Sequence, residues 1–254
     1  EQDKAVALLG NHEIIFLKAM LGDIGAFEKL MHANQGGIQT LREAGIEVGD
    51  FYKMSVNDIY MLYPKMRENR KLKELAGWLI NNAKLYHLDE HKTLHIHAGL
   101  PVDTSFGERT GLEALDLIQE NIRSNDGFLQ MSALSELNEH YSVVWTRDWV
   151  RPTPGHDFEK AKELYRNWGI ERIVHGHTPV EIPMSVEDFV FNIEAPQIDG
   201  TAYFLVSQRE GTDIWFENKE GLEDKIYIEA QPVETVEDRL DYLIRRSFPG
   251  IYDT

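Results

Sequence analysis

Three short histidine-bearing segments carry the side chains best suited to chemistry in this sequence. They are Gly10-Asn11-His12-Glu13, His97-Ala98-Gly99-Leu100 and His175-Gly176-His177-Thr178-Pro179. Each follows a run of apolar or alternating residues that is typical of a buried strand. In α/β proteins ligands collect where strands end, so a fold that brings these strand ends together would unite the three segments.

The residue types in these segments indicate metal-assisted phosphoester chemistry. Imidazole nitrogen and amide oxygen both suit divalent transition metals such as Mn, Fe or Zn. Hydrolysis of a phosphomonoester needs neutralised phosphate oxygens, a nucleophile near neutral pH and a proton for the leaving oxygen. Two metal ions about 3.5–4 Å apart can supply the first two of these, and a nearby histidine can supply the third.

The elements that must position these segments follow an α/β pattern. Residues 5–9 are wholly apolar and predict a buried strand that ends at Gly10. Residues 14–91 have amphipathic spacing and few prolines, which predicts a mainly helical insertion. Residues 93–97 alternate between apolar and polar, as a half-buried strand does, and residues 142–145 are a further strand candidate.

The C-terminal half adds one clear helix and several closely spaced strands. The helix is predicted from an apolar stripe of Phe158, Ala161, Leu164, Tyr165 and Trp168, and Gly169 ends it. Strands are predicted over residues 170–174, 189–193, 202–207, 213–217 and 225–229. Their close spacing favours local, at least partly antiparallel pairing. A capping box at residues 235–238 predicts a last helix to about residue 246, and residues 1–254 are interpreted as a single domain.

Composition and charge exclude several classes of function. The chain has 254 residues and a formal net charge of −17, which argues against partners with a phosphate backbone or an anionic membrane surface. It has no cysteine, so disulfides and thiolate metal sites are excluded. No apolar run is long enough to span a membrane, and no signal peptide opens the sequence. We therefore expect a cytoplasmic protein that binds neither nucleic acid nor membrane, and we leave its oligomeric state open.

Taken in order, the three segments resemble the motifs of the calcineurin-like metallophosphoesterases, within them the phosphoprotein-phosphatase group and its bacterial and phage relatives. The Gly-Asn-His-Glu segment is the most diagnostic, and the resemblance runs from residue 5 to about residue 207. Gly22-Asp23 also looks like the Shewanella-type branch of bacterial phosphatases. The resemblance implies a central metallophosphoesterase β-sandwich flanked by helices, with residues 14–91 as the helical insertion.

The resemblance also implies a role for individual residues. Asn11, His97 and His177 would bind the second metal of a pair. His12 would be the catalytic histidine that donates a proton to the departing alkoxide. Arg147 would grip the phosphate with its planar guanidinium, although a surface salt bridge with Asp148 is the alternative.

Two further residues take supporting roles in the same comparison. Glu13 would hold a neighbouring group beside the metal ligands. His175 is two residues from His177 and would share its strand face, either next to a ligand or facing the substrate. The other histidines are interpreted as structural or solvent-exposed.

Two motifs that precede Gly-Asn-His-Glu in this family have no counterpart in the chain. They are an Asp-x-His-Gly segment and a Gly-Asp segment ending in Asp-Arg-Gly, which provide the first metal's ligands. Asp89-Glu90-His91 has the spacing of Asp-x-His, but Lys92 follows it and we interpret the match as coincidence. We expect two divalent ions, Mn favoured, with only one full ligand set within this sequence and the missing motifs upstream of residue 1.

These observations favour a metal-dependent phosphatase, with a phosphoprotein carrying phosphorylated Ser, Thr or Tyr as the leading substrate and a small phosphoester as the alternative. The resemblance implies in-line attack by a metal-bridging hydroxide, with His12 as general acid. Two other functions stay open. One is hydrolysis of dinucleoside polyphosphates, and the other is non-catalytic binding by a protein that has lost the first metal site.

Overall fold

The computed structural model describes residues 5–32, 36–103, 111–139, 142–180, 184–186 and 188–194, together with the backbone of three strands at 202–208, 211–217 and 223–227. The predicted last helix at 235–246 lies outside these residues. The chain is an α/β protein, and its contacts divide it into two compact units. The first unit comprises residues 1–87 and 108–146, and the second comprises residues 88–107 and 147–254.

The first unit is helical, as predicted for most of residues 14–91. Its described α-helices are α1 (Asn11–Leu21), α2 (Ile24–Leu30), α3 (Gly37–Glu43), α4 (Val56–Tyr60), α5 (Leu62–Glu68), α6 (Arg70–Asn82), α7 (Leu112–Arg123) and α8 (Gly127–Glu136). A short 3-10 helix spans Phe51–Lys53. Helix α1 contacts α2, α5, α6 and α8, so it is the centre of this unit.

Helix α1 is central because it is apolar on nearly every side. Its residues Ile14 to Leu17 are all buried, which is expected of a helix surrounded by other helices. It begins after Gly10, whose backbone N–H donates to the Glu13 carboxylate at 2.9 Å. It ends at Gly22, which adopts a left-handed φ of 119°.

The buried strand predicted for residues 5–9 is wrong in extent. The segment forms a single parallel bridge between Leu8 and Lys84. Two backbone hydrogen bonds support this bridge, from Leu9 N–H to the Lys84 carbonyl at 2.8 Å and from Lys84 N–H to the Ala7 carbonyl at 2.9 Å. Val6 is 39% exposed. Residues 5–9 therefore do not form a ladder with a neighbouring strand. Leu9 is nevertheless buried, as its apolar character predicts.

The second unit contains the strands. They are β1 (Tyr86–Leu88), which crosses the boundary between the units, β2 (Thr93–Ile96), β3 (Arg172–His175), β4 (Met184–Val186), β5 (Val190–Asn192), β6 (Ala202–Gln208), β7 (Gly211–Glu217) and β8 (Glu223–Tyr227). The first five form one sheet in the order β1-β2-β3-β5-β4, and the last three form an antiparallel sheet in the order β6-β7-β8. The prediction of partly antiparallel pairing is confirmed, and the sandwich stays a prediction.

Three neighbouring strands of the larger sheet run parallel. In β2 and β3, Leu94 pairs with Ile173, and in β3 and β5, Val174 pairs with Phe191. Most residues of these strands are buried, as expected of parallel strands. Their carboxyl ends therefore meet at one edge of the sheet. Strand β4 is antiparallel to β5 and pairs Ser185 with Phe191.

The helix that precedes β3 is confirmed as predicted. Helix α9 spans Phe158–Asn167, and Ala161 and Tyr165 of its apolar stripe are buried. Gly169 follows it with a φ of 78°, and its N–H donates to the Arg166 carbonyl at 2.9 Å. This left-handed residue lets the chain leave the helix and enter β3 directly.

The strand predicted at residues 142–145 is wrong. The N–H groups of Trp145 and Thr146 both donate to the Ser142 carbonyl, each at 2.9 Å. These local bonds form a helical turn and satisfy the backbone without a partner strand. Val143 and Val144 are still buried, so the β-branched pair fills a core position from a turn.

Trp149 is a central packing residue of the second unit. Its side chain is 1% exposed and lies between the rings of Phe158 and Phe189, with centroid distances of 5.3 and 5.9 Å. Its indole N–H donates to the Leu100 carbonyl at 2.7 Å. Through these contacts it links the segment after β2 to α9 and to the start of β5.

Within the part of the chain that the structure describes, no helix combines the length and the apolar character needed to cross a membrane.

Replacing Trp149 by alanine should lower the free energy of unfolding by about 3–5 kcal/mol, because the change empties a large buried volume. Trp149→Phe keeps most of the ring packing and loses one hydrogen bond, so it should lower the free energy of unfolding by about 1 kcal/mol. Urea denaturation followed by circular dichroism measures both changes. Trp78→Ala is the control, since Trp78 is 50% exposed. Equal losses for Trp149→Ala and Trp78→Ala would contradict the packing described here.

Candidate functional site

The parallel sheet brings His97 and His177 together within the second unit. His97 follows the last residue of β2, and His177 lies two residues beyond the end of β3. The ladder continues past both strands, because Gly176 N–H donates to the His97 carbonyl at 2.8 Å. The two imidazole rings have centroids 5.1 Å apart and planes inclined at 51°.

This separation fits two imidazoles that bind one cation. A ring nitrogen about 2.1 Å from a metal places the ring centroid about 3.2 Å from it, so two ligands at angles of about 90–110° have centroids about 4.5–5.3 Å apart. The observed 5.1 Å lies in that range. The residues present therefore fit a divalent transition metal with respect to these two ligands. Among the described residues, no group of three or more His, Cys, Asp or Glu side chains is arranged to hold a metal.

His177 adopts a backbone conformation that L-residues rarely take. Its φ is 62°, and the flanking residues close a three-residue turn around it, with Thr178 N–H donating to the Gly176 carbonyl at 2.7 Å. A left-handed non-glycine residue costs of order 1–3 kcal/mol and persists only where its surroundings enforce it. The turn at His177 must therefore be held by neighbouring groups.

Asn192, the last residue of β5, is one of the residues that hold this turn. Its side chain is fully buried. Its Nδ2 donates to the Thr178 carbonyl at 2.7 Å, and its Oδ1 accepts from Glu194 N–H at 3.0 Å. One buried amide thus links the residue after His177 to the segment after β5.

Glu194 also links the turn at His177 to the segment after β5. Its Oε2 accepts from His177 N–H at 3.3 Å, and its backbone carbonyl accepts from Val180 N–H at 2.8 Å. The carboxylate also lies close to Gly176, where an added Cβ would be 2.7 Å from Oε2. Only glycine fits at this position without displacing the carboxylate.

Sequence reasoning missed Asn192 and Glu194. The signal for Asn192 is one amide at the end of the otherwise apolar run 189–193. A polar residue in such a run requires a hydrogen-bond partner when it is buried. Nothing in the run indicates which loop provides that partner, because the Thr178 carbonyl is brought near only by the pairing of β3 with β5.

His175 has a more interior position than predicted. Strand β3 ends at His175 and the left-handed residue His177 follows, so the alternation of a strand does not extend to His177. The expected role of His175, beside a metal ligand or facing the substrate, stays a prediction. The side chain is 2% exposed, and burial lowers its pKa to about 4. The neutral ring has Nδ1 2.8 Å from the Gly176 carbonyl, to which it can donate. His175 thus packs beneath the turn and does not face solvent.

The Asn11, His12 and Glu13 side chains lie in the first unit, at the start of α1. Asn11 is 4% exposed and His12 is exposed. Glu13 accepts from Gly10 N–H, as described above, so it holds the chain where it enters the helix. The roles predicted for these three residues stay predictions.

Arg147 opens the turn that leads to Trp149 and is half-buried in the second unit. Burial lowers the pKa of its guanidinium first, and the nearby charge of Arg151 lowers it further. The guanidinium is nevertheless a cation at any physiological pH.

Two weaker sequence matches have structural explanations. Asp89 stabilises the turn between β1 and β2, since its Oδ1 accepts from His91 N–H and from Thr93 N–H, each at 2.9 Å. Its Oδ2 lies 3.1 Å from His95 Nε2. Gly22 and Asp23 separate α1 from α2, and Asp23 caps α2 by accepting from Ala26 N–H at 2.9 Å.

Asn192→Leu should lower the free energy of unfolding by about 2–4 kcal/mol, because it leaves the Thr178 carbonyl and Glu194 N–H buried without partners. Denaturation curves give this loss, and amide hydrogen exchange over residues 176–180 should become faster in the variant. The matched control is Asp188→Asn, an exposed position in the turn before β5. A loss below about 0.5 kcal/mol for Asn192→Leu would show that these bonds do not hold the turn.

No family model matches the chain, and no curated protein matches it. Solved structures of cold-active protein tyrosine phosphatases do match. The enzyme of a psychrophilic Shewanella species is 18% identical, with a TM-score of 0.54 over 87% of this chain and 58% of that chain. A point mutant of a cold-active protein tyrosine phosphatase is 19% identical, with the same TM-score and the same coverage. A further structure of a cold-active protein tyrosine phosphatase, also with a TM-score of 0.54, covers 88% of this chain and 57% of its own.

The present chain thus spans a little under three fifths of the length of these relatives. At such low identity the likeness concerns the fold alone. Over most of its length, the chain has the fold of the cold-active protein tyrosine phosphatases.

Proposed function

We propose that the intact protein is a metal-dependent phosphomonoesterase that acts on phosphoproteins, with phosphotyrosine side chains as its main substrate class. The observation that carries the proposal is the juxtaposition of the His97 and His177 rings, 5.1 Å apart, at the carboxyl ends of neighbouring parallel strands. A left-handed backbone at His177, held by the buried amide of Asn192 and the carboxylate of Glu194, is typical of a functional site.

The donor set supports a transition metal of the Mn, Fe or Zn type. Imidazole nitrogen is a donor that such an ion prefers, and His97 and His177 supply two imidazoles at this spacing. When bound, a pair of such ions neutralises phosphate oxygens and makes a water molecule nucleophilic near neutral pH.

The remaining steps belong to side chains of this chain. Arg147 would bind two non-bridging oxygens of the phosphate with its planar fork and orient the ester for in-line attack. His12 would hold a proton on its ring and donate it to the leaving oxygen as the bond from phosphorus to that oxygen breaks. His12 is exposed at the start of α1.

The choice of phosphotyrosine is supported by the names of the proteins that share the fold. Those proteins are cold-active protein tyrosine phosphatases, and the likeness covers 87–88% of this chain. An aryl leaving oxygen is also a better leaving group than a serine or threonine alkoxide, so it depends less on its proton donor. A phosphoserine peptide is the natural comparison.

His12→Asn in the intact gene product should lower kcat for a phosphoserine peptide by about 10²–10⁴-fold, because it removes the proton donor, and should lower kcat for p-nitrophenyl phosphate by less, because its aryl leaving group needs less protonation. Bound metal should stay at two equivalents, measured by inductively coupled plasma mass spectrometry. His91→Asn is the matched control, since His91 is exposed in the turn between β1 and β2.

One equivalent of metal or none in the wild-type protein, together with no turnover, would contradict the proposal and favour a non-catalytic binding protein. Substrate preference is measured with a phosphotyrosine peptide, a phosphoserine peptide and diadenosine tetraphosphate. We expect the highest kcat/KM for the phosphotyrosine peptide. A clear preference for diadenosine tetraphosphate would replace this substrate class by dinucleoside polyphosphates.

A further inference from the structure

Arg147 and Arg151 occupy the two ends of a single helical turn in the second unit. Arg151 N–H donates to the Arg147 carbonyl at 2.7 Å, and Val150 N–H donates to the same oxygen at 3.0 Å. Residues four apart in such a turn lie on one face, so the two side chains are neighbours. Their proximity is also evident from the effect of the Arg151 charge, which lowers the pKa of the Arg147 guanidinium.

The residues between them anchor the turn to the segment that follows His97. The Asp148 carboxylate accepts from Val102 N–H at 3.1 Å, and the Trp149 indole donates to the Leu100 carbonyl at 2.7 Å. These two contacts fix the turn beside the loop between residues 97 and 102. The two arginines therefore lie on a backbone turn that is fixed against the segment following His97.

No carboxylate neutralises either arginine among the residues that the structure describes. None of the ion pairs found there includes Arg147 or Arg151. The expected alternative, a salt bridge from Arg147 to Asp148, is not formed within these residues, where Asp148 accepts from the Val102 backbone. This is unusual in a chain with 43 acidic and 26 basic residues.

Two like charges four residues apart on one turn destabilise the folded state unless an anion lies between them. Guanidinium groups bind phosphate oxygens in pairs, and two such forks suit the three oxygens and double charge of a phosphate monoester. Sites where like charges lie side by side without a neutralising partner are often functional.

We propose that Arg151 acts with Arg147 as a two-arginine site for a single phosphoryl group. The proposal rests on the proposed function, because the phosphoryl group is that of the substrate, but its anion chemistry can be tested without turnover.

The test is the affinity of the intact protein for inorganic phosphate, measured by ³¹P NMR line broadening with the metals present. Arg151→Gln should raise the dissociation constant of phosphate roughly 10-fold, as loss of a charge-assisted pair predicts. Arg151→Lys should have a smaller effect, because it keeps the charge and loses the fork. Arg70→Gln is the control for charge, since Arg70 is exposed and pairs with Glu74.

Equal phosphate affinity in Arg151→Gln and Arg70→Gln, with both variants folded by circular dichroism, would overturn the inference. Pyrophosphate serves as a second probe. If Arg151→Gln weakens binding of pyrophosphate but not of inorganic phosphate, the inference is also overturned, because Arg151 would then bind a second phosphate. If wild-type protein binds phosphate through Arg151 but hydrolyses no phosphoester, the proposed function fails and the two-arginine site is supported.

Discussion

Parallel pairing of β2, β3 and β5 is the constraint on which the rest of the second unit depends. Parallel strands deliver their following loops to one edge of the sheet, so residues far apart in sequence meet there. In this chain the pairing of Leu94 with Ile173 sets the register that brings His97 next to His177. A shift of one residue between β2 and β3 would turn one of these side chains to the other face.

The same pairing explains why an unfavourable backbone persists at His177. Strand β5 ends beside β3, and its polar end places Asn192 and Glu194 against the loop that carries His177. Each hydrogen bond contributes about 1 kcal/mol, which is comparable to the cost of one left-handed residue. The backbone of this loop is thus held by the sheet rather than by its own propensity. Preorganisation of this kind is what a metal or phosphate site requires.

Much of this arrangement could be predicted from the sequence, and the exceptions have physical causes. Helix α9, its glycine end and the strands before His97 and His177 follow from apolar periodicity, which reports burial directly. The run 142–145 favours a strand because Val143 and Val144 are β-branched. The two valines are instead buried in a turn, where apolar side chains are equally suitable. The position of His175 depends on where β3 ends, and the end is set by a left-handed residue that no periodicity reveals. Asn192 acts through the Thr178 carbonyl in another loop, so its importance emerges only from the pairing of β3 with β5.

Within the second unit, then, two imidazoles and two guanidiniums lie on loops that strands β2, β3 and β5 and Trp149 hold in place. The proposed function requires that the two imidazoles bind one metal ion. Pulsed electron paramagnetic resonance of the intact protein loaded with Mn²⁺ tests this claim most directly, using histidine labelled with ¹⁵N to identify coupled nitrogens. The account predicts coupling to histidine nitrogen in the wild-type protein and a weaker modulation in a folded His177→Ala variant. A wild-type spectrum without histidine coupling, or one unchanged in His177→Ala, would contradict it.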